Sequence, residues 1–456
     1  MNLDVSDLLN PQHAHAKRLL DSLFMNGVAA DLSETGCGKT YVAAWVCKNL
    51  NVPVVVVCPK AIRRGWDEVF TKFKIKALTV INYEKLIRGN TKWLTFKNNR
   101  DDNANFYELH FPKDALVILD EVHKCKGFNS KNSNFLIALR FQSYKTLMLS
   151  ATAATNPLEM KSFGFATLLH GLTNFKDFLL RNGAYRTGRF GAYTVDLHDV
   201  RTQQAMRSIH NELFNITKIA SRMTRFEFGN IFPNNRVYAE CFDMGTNTDK
   251  INRVYEMMER EIAELEDSSS NYSSHQFAVM MRARRHAELL KLPSAIDMIE
   301  DLFDEGISPV VFVNFSESVT AIKNKLEKNI KFAGKVGYVV GGQSDKVRQS
   351  DIDAFQRDEK RVMIVNIAAG AVGLSLHDLN GKHPRHSILF PTWSAINMLQ
   401  SLGRCHRANG KTPVIQKIFF AANSIEENIC KRIKEKLGAL EALNDGDLSF
   451  STSLKF

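Results

Sequence analysis

The run Ser33-Glu34-Thr35-Gly36-Cys37-Gly38-Lys39-Thr40 follows an apolar, β-rich segment at 27–31 and precedes a helical pattern at 41–50. No other feature constrains the chain as strongly. Glycines at 36 and 38 let backbone N–H groups of a tight turn converge on phosphate oxygens, because no Cβ blocks the approach. The helix that follows points its N-terminal dipole at the same place. Thr35, Gly36, Cys37 and Gly38 form the cradle, Lys39 is set to reach the β- and γ-phosphates, and Thr40 to ligate Mg²⁺. Ser33 stands where the usual G-x-x-x-x-G-K-[ST] spacing has its first glycine, while the G-x-G-K-T core is complete. Downstream, the apolar strand Leu116-Val117-Ile118-Leu119 ends in Asp120-Glu121-Val122-His123. Asp120 is placed to hold Mg²⁺ and Glu121 to polarise an attacking water. Loop and acidic pair together imply binding and hydrolysis of a nucleoside triphosphate.

A length of 456 residues exceeds one ordinary core and suits two or three domains. Apolar runs alternate with helical patterns, which predicts an α/β chain with parallel sheets flanked by helices. A first domain is expected over 1–160, with strands at 27–31, 52–58, 77–81, 115–119 and 146–149. A second domain is expected over 306–456, with strands at 309–314, 336–340, 362–366, 387–390 and 413–420. Helices at 345–356 and 395–404 lie between those strands, and a helix closes the chain. The intervening 161–305 reads as a mainly helical insertion, with long patterns at 201–222 and 248–267 and a serine-rich linker from Ser268 to Ser274.

Hydrophobic content of 44% and charged content of 24% are those of a globular chain. Apolar runs such as 52–58 are too short to span a bilayer, and the N-terminus lacks the basic start and apolar core of a signal peptide. The expectation is a cytoplasmic or nucleoid-associated protein, neither secreted nor membrane-bound. Seven scattered cysteines without a C-x-x-C pair point to buried residues in a reducing compartment, not to zinc or disulfides. A net charge of +11 favours polyanions and adds a salt-dependent attraction to nucleic acid.

Three further runs narrow the class. Leu147-Met148-Leu149-Ser150-Ala151-Thr152 follows the acidic strand. The later block carries 368–376, with Gly370 and Gly373, and then Gln400-Ser401-Leu402-Gly403-Arg404-Cys405-His406-Arg407. In this order and at these separations the motifs resemble those of superfamily 2 helicases and translocases, over nearly the whole chain. Cys58-Pro59-Lys60-Ala61-Ile62-Arg63-Arg64-Gly65-Trp66 looks like a motif of the Swi/Snf-type branch. So do Asp120 to Gly127 with Ser130-Lys131, Arg222-Met223-Thr224-Arg225, and Phe232-Pro233-Asn234-Asn235-Arg236-Val237. Within that branch the best likeness is to annealing and fork-remodelling helicases, including the branch-migration helicases of tailed phages.

The resemblance implies two RecA-like domains, an ATP cofactor with Mg²⁺, and DNA as partner, whether forked, branched or duplex. It implies that Arg404 and Arg407 act as arginine fingers on the γ-phosphate, with Gln400 orienting water or phosphate beside them. Gln12 is similar to the family's adenine-reading glutamine, whose amide pairs with both donor and acceptor edges. His123, Ser150 and Thr152 look like residues that couple nucleotide state to the nucleic-acid groove, and Gly373 allows close backbone approach near the nucleotide. Lys60, Arg63, Arg64, Asn314 and Ser375 are candidates for phosphate contacts along DNA. Trp393 is a candidate for stacking on a base or for supporting the arginine segment. Ile367-Ala368 stand where the family has a threonine, so that strand contact does not carry over.

Aromatic and basic residues alternate around Thr187-Gly188, which reads as a hairpin over 183–193. Tyr185, Phe190 or Tyr193 would stack at a fork, with Arg186 and Arg189 on phosphates. The leading expectation is a monomeric or weakly associating DNA helicase that remodels forks and migrates junctions. The alternatives are a duplex translocase that displaces bound proteins, and a non-catalytic DNA-binding module on the same fold. Intact Lys39, Glu121, Arg404 and Arg407 argue against the latter.

Overall fold

The computed structural model describes residues 7–88, 91–96, 107–127, 129–186, 192–196, 199–266, 272–370, 373–392, 394–424, 426–427 and 454–455. The chain forms two compact units that divide between Gly229 and Asn230.

In the first unit the strands are β1 (Val28–Asp31), β2 (Val54–Cys58), β3 (Thr79–Asn82), β4 (Leu94–Phe96), β5 (Tyr107–Leu109), β6 (Leu116–Asp120), β7 (Lys145–Leu149), β8 (Ala184–Arg186), β9 (Tyr193–Val195) and β10 (Ala220–Ser221). Six of them form one sheet in the order β10-β1-β7-β6-β2-β3, and every pairing in it is parallel. Every residue of β1, β2 and β6 is buried. That burial explains why these strands read as unbroken apolar runs: a parallel sheet is covered on both faces and has no side to alternate toward solvent. Helices α1 (Asn10–Asn26), α2 (Lys39–Leu50) and α3 (Arg63–Phe73) belong to its covering layers. The loop after β1 and the ends of β6 and β7 share the carboxyl edge, where open α/β sheets build their sites.

The second unit repeats the plan with β11 (Asn235–Phe242), β12 (Ser308–Val313), β13 (Val336–Val339), β14 (Val362–Asn366), β15 (Arg385–Leu389), β16 (Val414–Ala421) and β17 (Leu454–Lys455). Their order is β13-β14-β12-β15-β16-β11-β17, again parallel throughout. Val311, Ile364, Ile388 and Phe419 lie in its core, together with Ala287 and Ile299 of the helix Tyr272–Asp304.

The strands expected from sequence are present within a residue or two, but the middle of the chain is organised differently. Segment 161–305 is shared between the two units and does not stand apart from them. The pattern at 201–222 is not one helix. It is a helix over Val200–Asn211, a π-helical turn over Glu212–Ile216, and then β10. Lys218, at φ 52°, takes the left-handed conformation that ends helical propagation, and Ile219 leads into the strand. The helix expected over 395–404 stops at Leu402, with Gly403 as its C-cap, so Arg404 lies in the turn that follows and Arg407 in the loop beyond it. The closing helix lies outside the described residues, as do 268–271 of the serine-rich run; Tyr272 already opens a helix.

Candidate nucleotide site

Gly36 and Gly38 both adopt positive φ, 94° and 83°, in the turn that leads into α2. Gly38 is required twice over, since a Cβ there would also meet Gln12 Nε2 at 2.4 Å. Lys39 Nζ donates to the carbonyls of Ser33 and Glu34 at 2.7 and 3.1 Å, so its ammonium folds back over the loop. Gln12 is buried against the same loop. Its Nε2 donates to the Cys37 carbonyl at 2.8 Å and its Oε1 accepts from Leu9 N–H at 2.9 Å. Burial raises the Cys37 thiol to about 12, which keeps it protonated and inert.

Beneath the loop lies a buried polar network that the sequence reading missed. His15 Nε2 is 3.1 Å from Asp31 Oδ1, and its Nδ1 is 2.8 Å from Ser221 Oγ. Asp31 also accepts from Ser33 N–H at 2.9 Å, and Ser33 Oγ lies 3.3 Å from His15 Nε2. Burial alone would raise Asp31, but the charge and hydrogen bond of His15, with Lys39 and Ser33, hold it below the usual carboxylate range. The serine in place of the first glycine thus has a structural reason.

At the end of β6, Asp120 Oδ2 accepts from the Trp66 indole N–H at 2.8 Å and Oδ1 from Glu121 N–H at 2.9 Å. The Tyr83 hydroxyl donates to the Asp120 carbonyl at 3.0 Å. Burial, and then the neighbouring Glu121 carboxylate, push Asp120 up to about 7. Glu121 sits at φ 56°, a conformation rare outside glycine and often found at functional turns. His123 Nδ1 lies 3.3 Å from Glu121 Oε2 and 3.2 Å from Ser150 Oγ, which in turn accepts from Thr152 N–H at 3.1 Å. The three residues singled out as couplers therefore form one chain beginning at the acidic pair.

Trp66 closes the run Cys58–Trp66, and its spacing alone assigns it no role. Replacing it by phenylalanine keeps a ring against Phe70, now 5.2 Å away, but deletes the donor to Asp120 and part of a fully buried ring system. A hydrogen bond to a charged group contributes about 1.5–3 kcal/mol, so ATP turnover is expected to fall by roughly tenfold or more. A steady-state assay giving wild-type turnover would show that Asp120 does not need the indole.

In the second unit, Arg404 and Arg407 converge on one acceptor, the Leu374 carbonyl, at 3.4 and 3.2 Å. Leu374 follows Gly373, which has φ 81°. Arg404 and Gln400 are buried, and Arg407 is half-buried. His406 between the arginines points elsewhere, its Nε2 lying 2.8 Å from the Pro233 carbonyl.

The candidate DNA residues are placed less uniformly. Lys60, Arg64 and Ser375 are exposed, with Arg64 Nε paired to Glu68 at 2.7 Å, whereas Arg63 Nε donates to the Val80 carbonyl at 3.1 Å. Asn314 is half-buried and its Nδ2 donates to Glu288 at 2.7 Å and to the Pro391 carbonyl at 3.0 Å, which ties it into the fold. Strands β8 and β9 pair antiparallel, with Arg186 opposite Tyr193 and its guanidinium 4.8 Å from that ring. Tyr185 is 49% exposed. Arg189, Phe190 and Trp393 lie outside the described residues.

Residues 11–155 match the family model described as type III restriction enzyme, res subunit, and 320–456 match the C-terminal domain on Strawberry notch homologue. The putative ATP-dependent RNA helicase L364 of Acanthamoeba polyphaga mimivirus is 32% identical over 463 residues, covering 96% of this chain and 83% of that protein. The chain belongs to the superfamily 2 helicases. It is an ATP-hydrolysing enzyme built on two RecA-like units, and its relatives include Swi/Snf-related proteins. One of them, the SWI/SNF-related matrix-associated actin-dependent regulator of chromatin subfamily A-like protein 1 of Drosophila melanogaster, is 23% identical over 419 residues. That match covers 88% of this chain but 52% of the fly protein, so the chain spans about half of that relative. The Sulfolobus solfataricus SWI2/SNF2 ATPase core, solved in complex with double-stranded DNA, aligns over 97% of this chain and 94% of its own at 17% identity, with a TM-score of 0.38. No helix among the described residues is long and apolar enough to cross a membrane.

Proposed function

We propose that this helicase is an ATP-driven DNA translocase that remodels forks and drives branch migration of junctions. The observation that carries this reading is the antiparallel β8–β9 pair, in the same unit as the phosphate loop, with the exposed Tyr185 on one face and the Arg186–Tyr193 stack on the other. An aromatic side chain on a hairpin suits a separating base pair, and a neighbouring arginine suits the phosphates on either side. The chain's net charge of +11 supports a polyanionic partner.

In this reading Thr35 to Gly38 cradle the phosphates, Lys39 neutralises them, and Glu121 orients the attacking water. The donor set fits a divalent cation, because burial and the adjacent Glu121 carboxylate raise Asp120 and Thr40 lies in the first turn of α2 after the loop. Thr40 and Asp120 would hold Mg²⁺, which when bound supplies positive charge to the phosphate oxygens. Arg404 and Arg407 stabilise the charge that develops at the γ-phosphate, with Gln400 beside them. Gln12, its amide bonded to the Cys37 carbonyl and the Leu9 N–H, braces the loop beside the adenine site. The His123–Ser150–Thr152 chain carries nucleotide state toward the DNA contacts of Lys60, Arg63 and Arg64 in the same unit; Ser375 is a further DNA contact, in the second unit.

The test is ATP-driven processing of a labelled Holliday junction, a fork, a plain DNA duplex and an RNA duplex. Junction and fork processing supports the proposal. ATP consumption on duplex DNA without strand separation would instead favour displacement of bound proteins. RNA is a second reading because the mimivirus relative carries that substrate in its name; unwinding of the RNA duplex alone would establish it. Stacking on one base contributes about 1–3 kcal/mol, so Tyr185→Ala should slow junction processing about tenfold while DNA-stimulated ATP turnover persists. Equal junction rates in variant and wild type would remove the wedge.

A further inference from the structure

The pairing of β10 with β1 does not stop where the strands end. Backbone N–H groups of Ala30, Leu32 and Glu34 donate to the carbonyls of Ile219, Ser221 and Met223 at 2.8, 2.9 and 3.0 Å. Each bond steps two residues along both segments, so the start of the phosphate loop continues the parallel ladder. Side chains then close on the loop. Met223 N–H donates to Ser33 Oγ at 2.9 Å, and Arg222 Nη1 donates to the Leu32 carbonyl at 2.9 Å.

Arg225 holds the loop most closely. Its Nε donates to the Thr35 carbonyl at 3.1 Å, its Nη2 to Thr35 Oγ1 at 2.7 Å, and its backbone N–H to Glu34 Oε2 at 3.0 Å. Glu34 lies between two cations, 3.5 Å from Arg222 Nη2 and 3.6 Å from Arg225 Nε. Four residues on, Gly229 at φ 52° is the last residue of the first unit before the chain enters the second. The segment after β10 is therefore both a wall of the phosphate loop and the covalent exit from the first unit.

We propose that Arg225 is a positioning residue that fixes Thr35 in the phosphate loop and makes the order of the exit segment, 221–229, depend on bound nucleotide. The guanidinium grips two atoms of one residue with a planar fork, a geometry that a lysine ammonium does not reproduce. A nucleotide that orders the loop orders this grip, and through it the segment leading to the second unit. The proposal rests on the phosphate loop being the ATP site.

The experiment is amide hydrogen exchange of peptides covering 221–229 in the full chain, with and without a saturating non-hydrolysable ATP analogue. It is run on wild type, Arg225→Ala and Arg225→Lys, with analogue affinity titrated separately. In wild type the peptides gain protection with nucleotide. In Arg225→Ala the KM for ATP rises about tenfold, and protection is not gained even at saturation. Should Arg225→Ala melt early, Arg225→Lys carries the same readout, with protection between the other two. If wild type does not bind the analogue, the proposal falls together with the ATP-site reading. If it binds, and exchange over 221–229 responds equally in all three proteins, the coupling alone is overturned.

Discussion

Arg407→Ala is expected to lower ATP turnover by about 10³-fold or more while leaving the melting temperature nearly unchanged. An arginine that meets transition-state phosphate charge contributes about 10³–10⁵ in rate. Arg407 is half-buried, less enclosed than Arg404, and reaches the Leu374 carbonyl at 3.2 Å. Arg404 should behave differently. It is buried and its Nη1 reaches the same carbonyl at 3.4 Å. Arg404→Ala therefore removes packing as well as charge, and a charge-assisted bond lost there costs about 1.5–3 kcal/mol of stability besides the rate. Parallel turnover assays and thermal melts separate the two arginines. Arg407→Ala turning over within threefold of wild type would sink the finger assignment.

The two arginines also show where a sequence pattern is informative and where it stops. Their spacing placed them together, and the structure brings both onto one carbonyl. The helix expected to run through Arg404, however, ends at Leu402, and Gly403 caps it in an ordinary right-handed conformation at φ −76°. The strands of both sheets were legible for a simple reason: buried parallel strands are unbroken apolar runs bounded by turn residues. Strand β10 was not, since two residues carry no period, and the helical pattern around them runs straight across. Long-range polar contacts were hidden altogether. His15 meets Ser221 across 206 residues, and Trp66 meets Asp120 across 54. Spacing along the chain says nothing about such pairs. They exist because buried polar groups must be hydrogen-bonded, and only the fold decides which partner comes near enough.

Lys39→Ala should abolish measurable ATP turnover, a loss of at least about 10²–10³-fold for removing one preorganised charge from a phosphoryl-transfer site. The geometry predicts a second effect. Lys39 Nζ holds the Ser33 and Glu34 carbonyls at 2.7 and 3.1 Å, so the ammonium closes the loop as well as serving the phosphates. Lys39→Ala should therefore weaken nucleotide binding too, by about tenfold for a lost charge-assisted bond. Lys39→Arg should not rescue turnover, because a planar guanidinium cannot take the place of a compact ammonium over two carbonyls. Nucleic-acid binding, which depends on other residues, should survive in both variants. Turnover, nucleotide titration and a DNA-binding isotherm on the same preparations test all of this. If Lys39→Arg keeps more than a tenth of wild-type turnover, the ammonium's hold on the loop is dispensable and its role is charge alone.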